Sequence, residues 1–300
     1  MKNFIFFLII ASFFGACSSD YYISPDGDDE NSGKSAAQAW KTIQKVNETD
    51  FAPGSSSLFE GGKEFEGTIQ LSGADAGSAD KKITISSFGD EKAVINGGDN
   101  EGLLAKDCDQ LVVKDLIFEG SGRKTGNTTD GVLITGSDSV IVENLEVYGF
   151  QKSGLHVRKS VNAHITHVYA HNNGFAGIHV TGTTMNHETQ YDNADLYIAY
   201  CVAENNPGDP TLLKNHSGNG ILANSVKGGI IEYCEAFNNG WDMPWTGNGP
   251  VGIWIWDCTD FIIQYCIAHD NKTNPVAADG GGFDFDGGVS NSIMQYNLSY

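Results

Sequence analysis

The sequence predicts an all-β fold in which short strands wind into a right-handed parallel β-helix, and three observations support this prediction. Segments that begin with glycine and continue with alternating apolar residues recur along the chain, as in GLHVRK from Gly154 and GIHVTG from Gly177. A second apolar stretch follows each segment, and a polar turn rich in asparagine closes many of the repeats. Two or three short strands in each repeat, joined by turns, are typical of a parallel β-solenoid.

The N-terminal segment resembles a secretory signal that is absent from the mature protein. Apolar and small residues run from Phe4 to Phe14, which is too short to span a bilayer as a helix but suits the apolar core of a signal peptide. Gly15 and Ala16 before Cys17 resemble a bacterial lipobox. We therefore predict a lipoprotein signal over residues 1–17 with lipidation at Cys17, and the alternative is an ordinary cleaved signal with an incidental cysteine.

Residues 18–300 are predicted to form one β-helix domain. Ala36 to Val46 is predicted to be a short amphipathic helix that caps the first coil, because an uncovered solenoid end invites edge-to-edge strand pairing. The coils then begin with GSSSLFEGGKEFEGTIQLSG and ITISSFGDEKAVINGG. No comparable cap precedes Tyr300, so we expect further coils and a domain that is truncated at its C-terminus.

Equivalent residues of successive coils are expected to form columns, because coils of a solenoid stack about 4.8 Å apart. Three cysteines of the second strand fall in one interior column: Cys201, Cys234 and Cys266. Four asparagines of the polar turns fall in another: Asn173, Asn206, Asn239 and Asn271. Such an asparagine ladder resembles those of pectate-lyase-like β-helices, where amides bond along the stack. The resemblance covers roughly residues 21–300 and implies a secreted protein that acts on polysaccharides.

The formal charge of −20 restricts the partners of this protein. No basic stripe is available for a phosphate backbone, so nucleic acid is not an expected ligand. A bare anionic polymer also fits poorly unless metal ions neutralise the site. Calcium is the natural candidate outside the cytoplasm, because carboxylates are hard oxygen ligands.

Side chains alternate between the two faces of a strand, so one face of the first strand in each repeat is predicted to point to solvent. His156, His179 and Arg158 are predicted to lie on this outward face, as are Trp254 and Trp256. Flat indole rings suit stacking on sugars, so these five residues are candidate substrate-binding residues. The alternative for the two tryptophans is a small satellite core beneath a covering loop.

Long turns precede the first strand of several repeats, and they are predicted to form the walls of a groove along this outward face. Loops on a rigid scaffold often carry function. These turns span residues 206–219, 239–251 and 271–281. Trp241 is a further candidate sugar contact, and Lys214 is a candidate catalytic base if the reaction is a lyase reaction.

The run ADGGGFDFDGG holds the sharpest local signal. Asp284 and Asp286 are two residues apart on one strand, which places their Cα atoms about 6.6 Å apart on the same face. Two such carboxylates can serve as acid and base, or as acid and nucleophile, in glycoside hydrolysis. We predict them to be catalytic, with Asp257 as a further catalytic candidate. Asp279, Asp284 and Asp286 could instead bind Ca²⁺, as the loose resemblance to calcium-dependent pectate lyases implies, or form a structural turn.

The sequence therefore predicts an extracytoplasmic enzyme that cleaves an extended polysaccharide, either a glycoside hydrolase or a calcium-dependent lyase. A non-catalytic glycan-binding or adhesin-like β-helix is the alternative, which needs the aromatic face but not the carboxylates. We expect a monomer that the lipid on Cys17 holds at the cell envelope or outer membrane. Exposure at the cell surface is one arrangement that this anchor allows.

Overall fold

The computed structural model describes residues 19–183 and 190–300, and it confirms the parallel β-helix. Every pairing between its named strands is parallel, and successive coils add one strand to each of three faces. The predicted lipidation site at Cys17 lies outside the described residues. None of the described helices is long and apolar enough to cross a membrane.

The first face carries the predicted outward columns, and we call it the groove face. Its strands are β4 (Ile69–Leu71), β7 (Leu103–Lys106), β10 (Val132–Thr135), β13 (Ser153–Arg158), β16 (Ala176–Thr181), β23 (Gly281–Phe285) and the first parts of β19 (Asn219–Glu232) and β21 (Val251–Gln264). In register, His156 pairs with His179, His179 with Leu222, Leu222 with Trp254, and Trp254 with Asp284. His156, His179 and Trp254, which were predicted to share the outward face, therefore lie in one column with Leu222 and Asp284.

The other two faces complete each coil. The second face consists of β1 (Asp20–Ile23), β2 (Ser56–Glu60), β5 (Ile83–Phe88), β8 (Leu111–Lys114), β11 (Ile141–Glu143), β14 (His164–Thr166), β17 (Asn193–Ala199), β24 (Ile293–Gln295) and the later parts of β19 and β21. The third consists of β3 (Glu64–Glu66), β6 (Ala93–Gly98), β9 (Leu116–Gly120), β12 (Glu146–Tyr148), β15 (Tyr169–His171), β18 (Val202–Glu204), β20 (Glu235–Phe237), β22 (Ile267–His269) and β25 (Leu298–Ser299).

One continuous apolar core fills the interior of the coils. The inward residues of the groove face, such as Leu155, Val157 and Ile253, are fully buried. Burial of each such side chain contributes about 1.5–3 kcal/mol. The predicted interior column of cysteines is also buried, and Cys201, Cys234 and Cys266 are free thiols.

The predicted asparagine ladder is present. The Nδ2 of Asn173 donates to Oδ1 of Asn206 over 3.2 Å, Asn206 donates to Asn239 over 2.9 Å, and Asn239 donates to Asn271 over 2.9 Å. Each amide also donates to a backbone carbonyl of the preceding coil, as Asn206 does to Ala170 over 3.1 Å. The ladder satisfies buried polar groups where the chain turns onto the groove face.

The N-terminal cap differs in form from the single helix predicted over residues 36–46. A 3₁₀ turn spans Ala36–Gln38, and α1 spans only Ile43–Asn47. Trp40 interrupts them because its backbone bonds to the first strand: its N–H donates to Tyr22 over 2.9 Å, and its carbonyl accepts from Ser24 over 2.8 Å. Thr42 then caps α1, and Ile43 and Val46 pack into the first coils.

Candidate functional site

An acidic pocket of about 270 Å³ lies where β21 and β23 adjoin on the groove face. Asp284 lies on β23, Asp286 follows it, and Asp279 belongs to the preceding loop. The remaining lining residues come from the loop before β21 and from the two strands: Asn248, Gly249, Val251, Trp254, Gly280, Gly281 and Phe283. The structure thus brings together the three carboxylates of the predicted acidic run.

Asp284 differs electrostatically from an ordinary surface carboxylate. Partial burial raises its pKa, and the negative charges of Asp286 and Asp279 raise it further, while a backbone N–H at Phe285 opposes the shift. A carboxyl that retains its proton beside a second carboxylate suits the general acid of a glycosidase. The arrangement can therefore supply one acid and one base or nucleophile.

Backbone contacts fix the other two carboxylates. Asp279 accepts a hydrogen bond from the N–H of Gly249, which ties its loop to the loop before β21. A Cβ on Gly249 would lie 2.0 Å from the carbonyl oxygen of Asp279, so the two backbones approach as closely as only glycine allows. Asp286 accepts from the N–H of Gly287 over 2.7 Å.

The prediction that both tryptophans face open solvent is wrong for Trp254, and the satellite-core alternative describes it. Trp254 is only 4% exposed, and it packs with Leu222 and Val251, against which Phe175 and Trp256 also lie. Alternation places Trp254 outside the coil interior, but residues from neighbouring loops cover it. Only a small part of its indole borders the pocket, whereas Trp256 is half-buried.

The prediction that Asp257 is catalytic is also wrong, because this residue is completely buried and cannot contact a substrate. It lies at a corner of the coil with φ of 50°, and its N–H donates to Gly287 over 2.8 Å. The left-handed backbone conformation turns the chain from the groove face to the second face, which removes this carboxylate from the groove.

Lys214 and Trp241 do not join the pocket. Lys214 is exposed on the loop over residues 206–218 and is not among the lining residues. Trp241 is 49% exposed, and its indole N–H donates to Asn205 over 2.9 Å at the end of the third face. The predicted roles of catalytic base and sugar contact therefore have no support from pocket geometry.

The histidines and Arg158 form a separate cluster. His156 and His179 stack with ring centroids 4.3 Å apart, as the predicted column requires. His156 and Arg158 lie four strand steps from Asp284, which is about 19 Å at the strand spacing. Phe175 lies 5.0 Å from the His179 ring, so the face between this cluster and the pocket is covered.

Asp130 is the residue of this cluster that the sequence did not indicate. Its carboxylate lies 2.9 Å from Nδ1 of His156 and accepts the Ser153 N–H over 2.8 Å. Burial would raise the pKa of Asp130, but the charge and hydrogen bond of His156, the Ser153 N–H and the charge of Arg158 together lower it. Burial and the neighbouring His156, His216 and Arg158 hold the pKa of His179 well below its ordinary value.

Asn219 and His216 lie behind the pocket wall, and no pattern in the sequence marks Asn219. Both are buried next to Trp254: the indole Nε1 donates to Oδ1 of Asn219 over 3.1 Å, and the His216 ring lies edge-on to the indole at 5.0 Å. Only the spacing between the asparagine that begins β19 and a tryptophan one coil later could have suggested the contact.

The pocket carboxylates do not form a recognisable metal centre. Within residues 19–183 and 190–300, no group of three or more His, Cys, Asp or Glu side chains is placed to hold one ion. The calcium predicted for Asp279, Asp284 and Asp286 therefore has no preformed set of ligands among these residues. Calcium stays a prediction.

Comparisons with known proteins agree with this architecture. A family model described as a right handed beta helix region matches residues 101–298. A lacto-N-biosidase from Bifidobacterium longum subsp. longum is 34% identical over 133 residues, which are 42% of this chain and 8% of that protein.

Solved structures with low sequence identity share the fold. A GH136 lacto-N-biosidase from Eubacterium ramulus superposes with a TM-score of 0.72 at 19% identity, over 94% of this chain and 56% of that one. A pectate lyase superposes with a TM-score of 0.52 at 16% identity, over 95% of this chain and 63% of that one. This chain thus spans little more than half of the first of these structures.

Proposed function

The chain belongs to the right-handed β-helix family, and we propose that it is a carbohydrate-active enzyme that hydrolyses a glycosidic bond in its acidic pocket. The observation that carries this proposal is the trio of carboxylates at one end of the groove face, in which Asp284 has a raised pKa. The partial sequence identity to a lacto-N-biosidase supports the same chemistry.

We propose that Asp284 is the general acid and that Asp286 is the base or nucleophile. A protonated Asp284 would donate to the leaving oxygen, and the ionised Asp286 would activate water or attack the anomeric carbon. Asp279 would add negative charge near the positive charge that develops on the sugar ring. Trp254 and Phe283 supply the apolar wall against which a sugar can pack.

Hydrolysis is favoured over lyase chemistry, because no lysine, arginine or histidine is among the described residues that line the pocket. A lyase that removes a proton beside a uronate carboxylate needs such a base or a cation to balance the acidic substrate. Three carboxylates would repel a polyanion. A neutral glycan is therefore the proposed substrate class.

The covered face beside the pocket further restricts the substrate. Phe175, His216 and Trp254 occupy the path along which an extended chain would run from the pocket toward His179. We propose that the pocket receives the end of a glycan chain rather than its middle. An extended polysaccharide would then enter the pocket by its end.

A substrate panel tests the proposal. Purified protein is incubated with neutral oligosaccharides, aryl glycosides of neutral mono- and disaccharides including lacto-N-biose, and uronate polymers, each with calcium and with a chelator. New reducing ends or released aryl alcohol from the neutral substrates support hydrolysis. Unsaturated products that absorb in the near ultraviolet indicate a lyase, and glycan binding without product favours the non-catalytic binding protein.

Three single variants assign the carboxylates. Asp284→Asn and Asp286→Asn should each lower kcat by about 10²–10⁴, the usual contribution of acid–base catalysis. Asp279→Asn should lower it less. If Asp279→Asn abolishes turnover while Asp284→Asn retains it, the acid or nucleophile role belongs to Asp279 instead.

We also propose that the protein is exported and held at the cell envelope by a lipid on Cys17. The apolar run from Phe4 to Phe14 and the small residues before Cys17 support this proposal. Metabolic labelling with a fatty acid analogue in a bacterial host should mark the wild-type protein and not Cys17→Ala. Labelling of both proteins would contradict the assignment.

A further inference from the structure

Asn219 is a fully buried residue at the start of β19 that joins three elements behind the acidic pocket. Its Oδ1 accepts from the Trp254 indole over 3.1 Å and from the Val251 N–H over 3.3 Å. Its Nδ2 donates to the Phe175 carbonyl over 3.1 Å and lies 3.1 Å from Nδ1 of His216. The amide thus uses all four of its hydrogen-bonding positions.

These partners fix the orientation of the amide. The indole N–H of Trp254 and the backbone N–H of Val251 can only donate, so they must face the oxygen of Asn219. The NH₂ group must then face His216, and Nδ1 of His216 must accept. His216 is consequently neutral, with its ring proton on Nε2.

The surroundings of His216 favour the same state. Burial lowers its pKa, and this effect outweighs the negative charges of Asp286 and Asp279, which raise it. The Asn219 N–H that donates to Nδ1 also stabilises the neutral ring. The other titratable neighbour, His179, shares the Phe175 ring as a contact. Phe175 and Trp254 present aromatic rings rather than charges to His216.

We propose that Asn219 is a positioning residue that, with neutral His216 as its acceptor, holds the Trp254 indole and the Val251 backbone as a rigid wall of the acidic pocket. We call the hydrogen-bonded group of Asn219, His216, Trp254 and Val251 the clamp. Its effect on turnover rests on the proposed glycosidase function, whereas its existence does not. Trp254 is the register partner of Asp284, so a loosened indole would change the space in which Asp284 meets a sugar.

Protonation of His216 would break the clamp, because two donors would then face each other at 3.1 Å and a charge would enter a buried site. The clamp should therefore be intact above the lowered pKa of His216 and be lost as pH falls through it. The wall of the pocket would loosen in acid before the coils unfold.

Hydrogen exchange at the indole of Trp254 tests the clamp without any substrate. The protein is labelled with ¹⁵N-tryptophan, and Trp254→Phe identifies the Trp254 indole signal among the five tryptophans. Asn219→Ala should accelerate exchange at that indole by about tenfold, as expected for the loss of one net hydrogen bond.

Asn193→Ala is the matched control. Asn193 is also buried, and its amide donates to Asn224 and Ser225 and accepts from Ser160, but it does not contact Trp254. It should lose global stability without selective acceleration at Trp254. Equal acceleration by both variants would show general loosening and overturn the proposal.

His216→Asn tests the requirement for a neutral acceptor, because its Oδ1 can replace the ring Nδ1 at any pH. In the wild-type protein, Trp254 protection should decline on acidification relative to the other indoles. In His216→Asn it should be retained. A decline of the same size in both proteins would overturn the role of His216.

Kinetics separate the clamp from the proposed reaction. On a hydrolysed substrate, Asn219→Ala should raise KM by about tenfold with a smaller change in kcat, and Asn193→Ala should leave KM unchanged. If the wild-type protein hydrolyses nothing, the proposed function fails while the exchange data still decide the clamp. Unchanged indole exchange in Asn219→Ala overturns the clamp whatever the activity.

Discussion

Asp284 is the residue on which the chemistry depends, because its proton would have to be retained at the pH of the reaction. Burial raises the pKa of this carboxyl, and the carboxylates of Asp286 and Asp279 add to the effect. Such a site lowers the stability of the folded state, because it places like charges close together on one strand and the loop before it.

The rate of hydrolysis should depend on pH through Asp284. A general acid works only when protonated, so kcat/KM should fall as pH rises through the pKa of Asp284. Asp286→Gln removes one of the negative charges that raise this pKa and should lower it. Titration of Asp284 by ¹³C NMR in both proteins measures the shift directly, and an identical pKa in the two would contradict the electrostatic account.

A second prediction at this scale concerns stability. Asp284→Asn should raise the free energy of unfolding at neutral pH by less than about 1 kcal/mol, because it relieves repulsion at a partly exposed site. The melting temperature should rise slightly. The gain should shrink as pH falls through the raised pKa of folded Asp284, and it should vanish below the ordinary pKa of the unfolded chain, where the wild-type carboxyl is protonated in both states. Calorimetry at two pH values measures this, and a gain that persists in acid would point to packing instead.

At the scale of elements, the loops decide what the groove face presents. The buried carboxylate of Asp209 pairs with Lys152, and Arg123 donates to the carbonyl of Gly208 over 2.8 Å. These contacts fasten the loop over residues 206–218 onto the coils. The loop then places His216 against Trp254.

A prediction for the loops uses Gly249, whose backbone approaches Asp279 too closely for a side chain. Gly249→Ala should displace the loop that carries Asp279 and lower kcat/KM, with little effect on the global melting temperature. Gly287→Ala is the control, because a Cβ there would meet nothing within 4 Å. Equal losses of activity in both variants would contradict the steric explanation.

A prediction for the coils uses the asparagine ladder. Asn206→Ala removes a buried amide that donates to Ala170 and Asn239, and it leaves partners without bonds. The free energy of unfolding should fall by about 1–3 kcal/mol. Denaturant titration against Asn215→Ala, an exposed loop asparagine, checks it. Equal stability of the two variants would show that the ladder contributes nothing.

At the scale of the whole molecule, repetition made the fold readable from the sequence. The recurring glycine-led segments place His156, His179, Leu222, Trp254 and Asp284 at equivalent positions, and the register of the strands agrees. The acidic run also identified the pocket, because its carboxylates lie close together in the chain.

The remaining features depend on contacts that periodicity does not encode. Alternation shows on which side of a strand Trp254 lies, but not that His216 and Phe175 cover it. Asp257 follows the same strand, yet a corner residue with positive φ ends the alternation and buries its carboxylate. Asp130 and Asn219 act through partners in other coils, and no local pattern marks either residue.

The central claim is that the acidic pocket adds water across a glycosidic bond of a neutral glycan, and product analysis in heavy-oxygen water tests it most directly. Mass spectrometry of the reaction should find heavy oxygen at the new reducing end, with the label absent when Asp284→Asn and Asp286→Asn replace the wild-type protein. Unlabelled, unsaturated products, or labelled products that persist undiminished in both variants, would contradict the account.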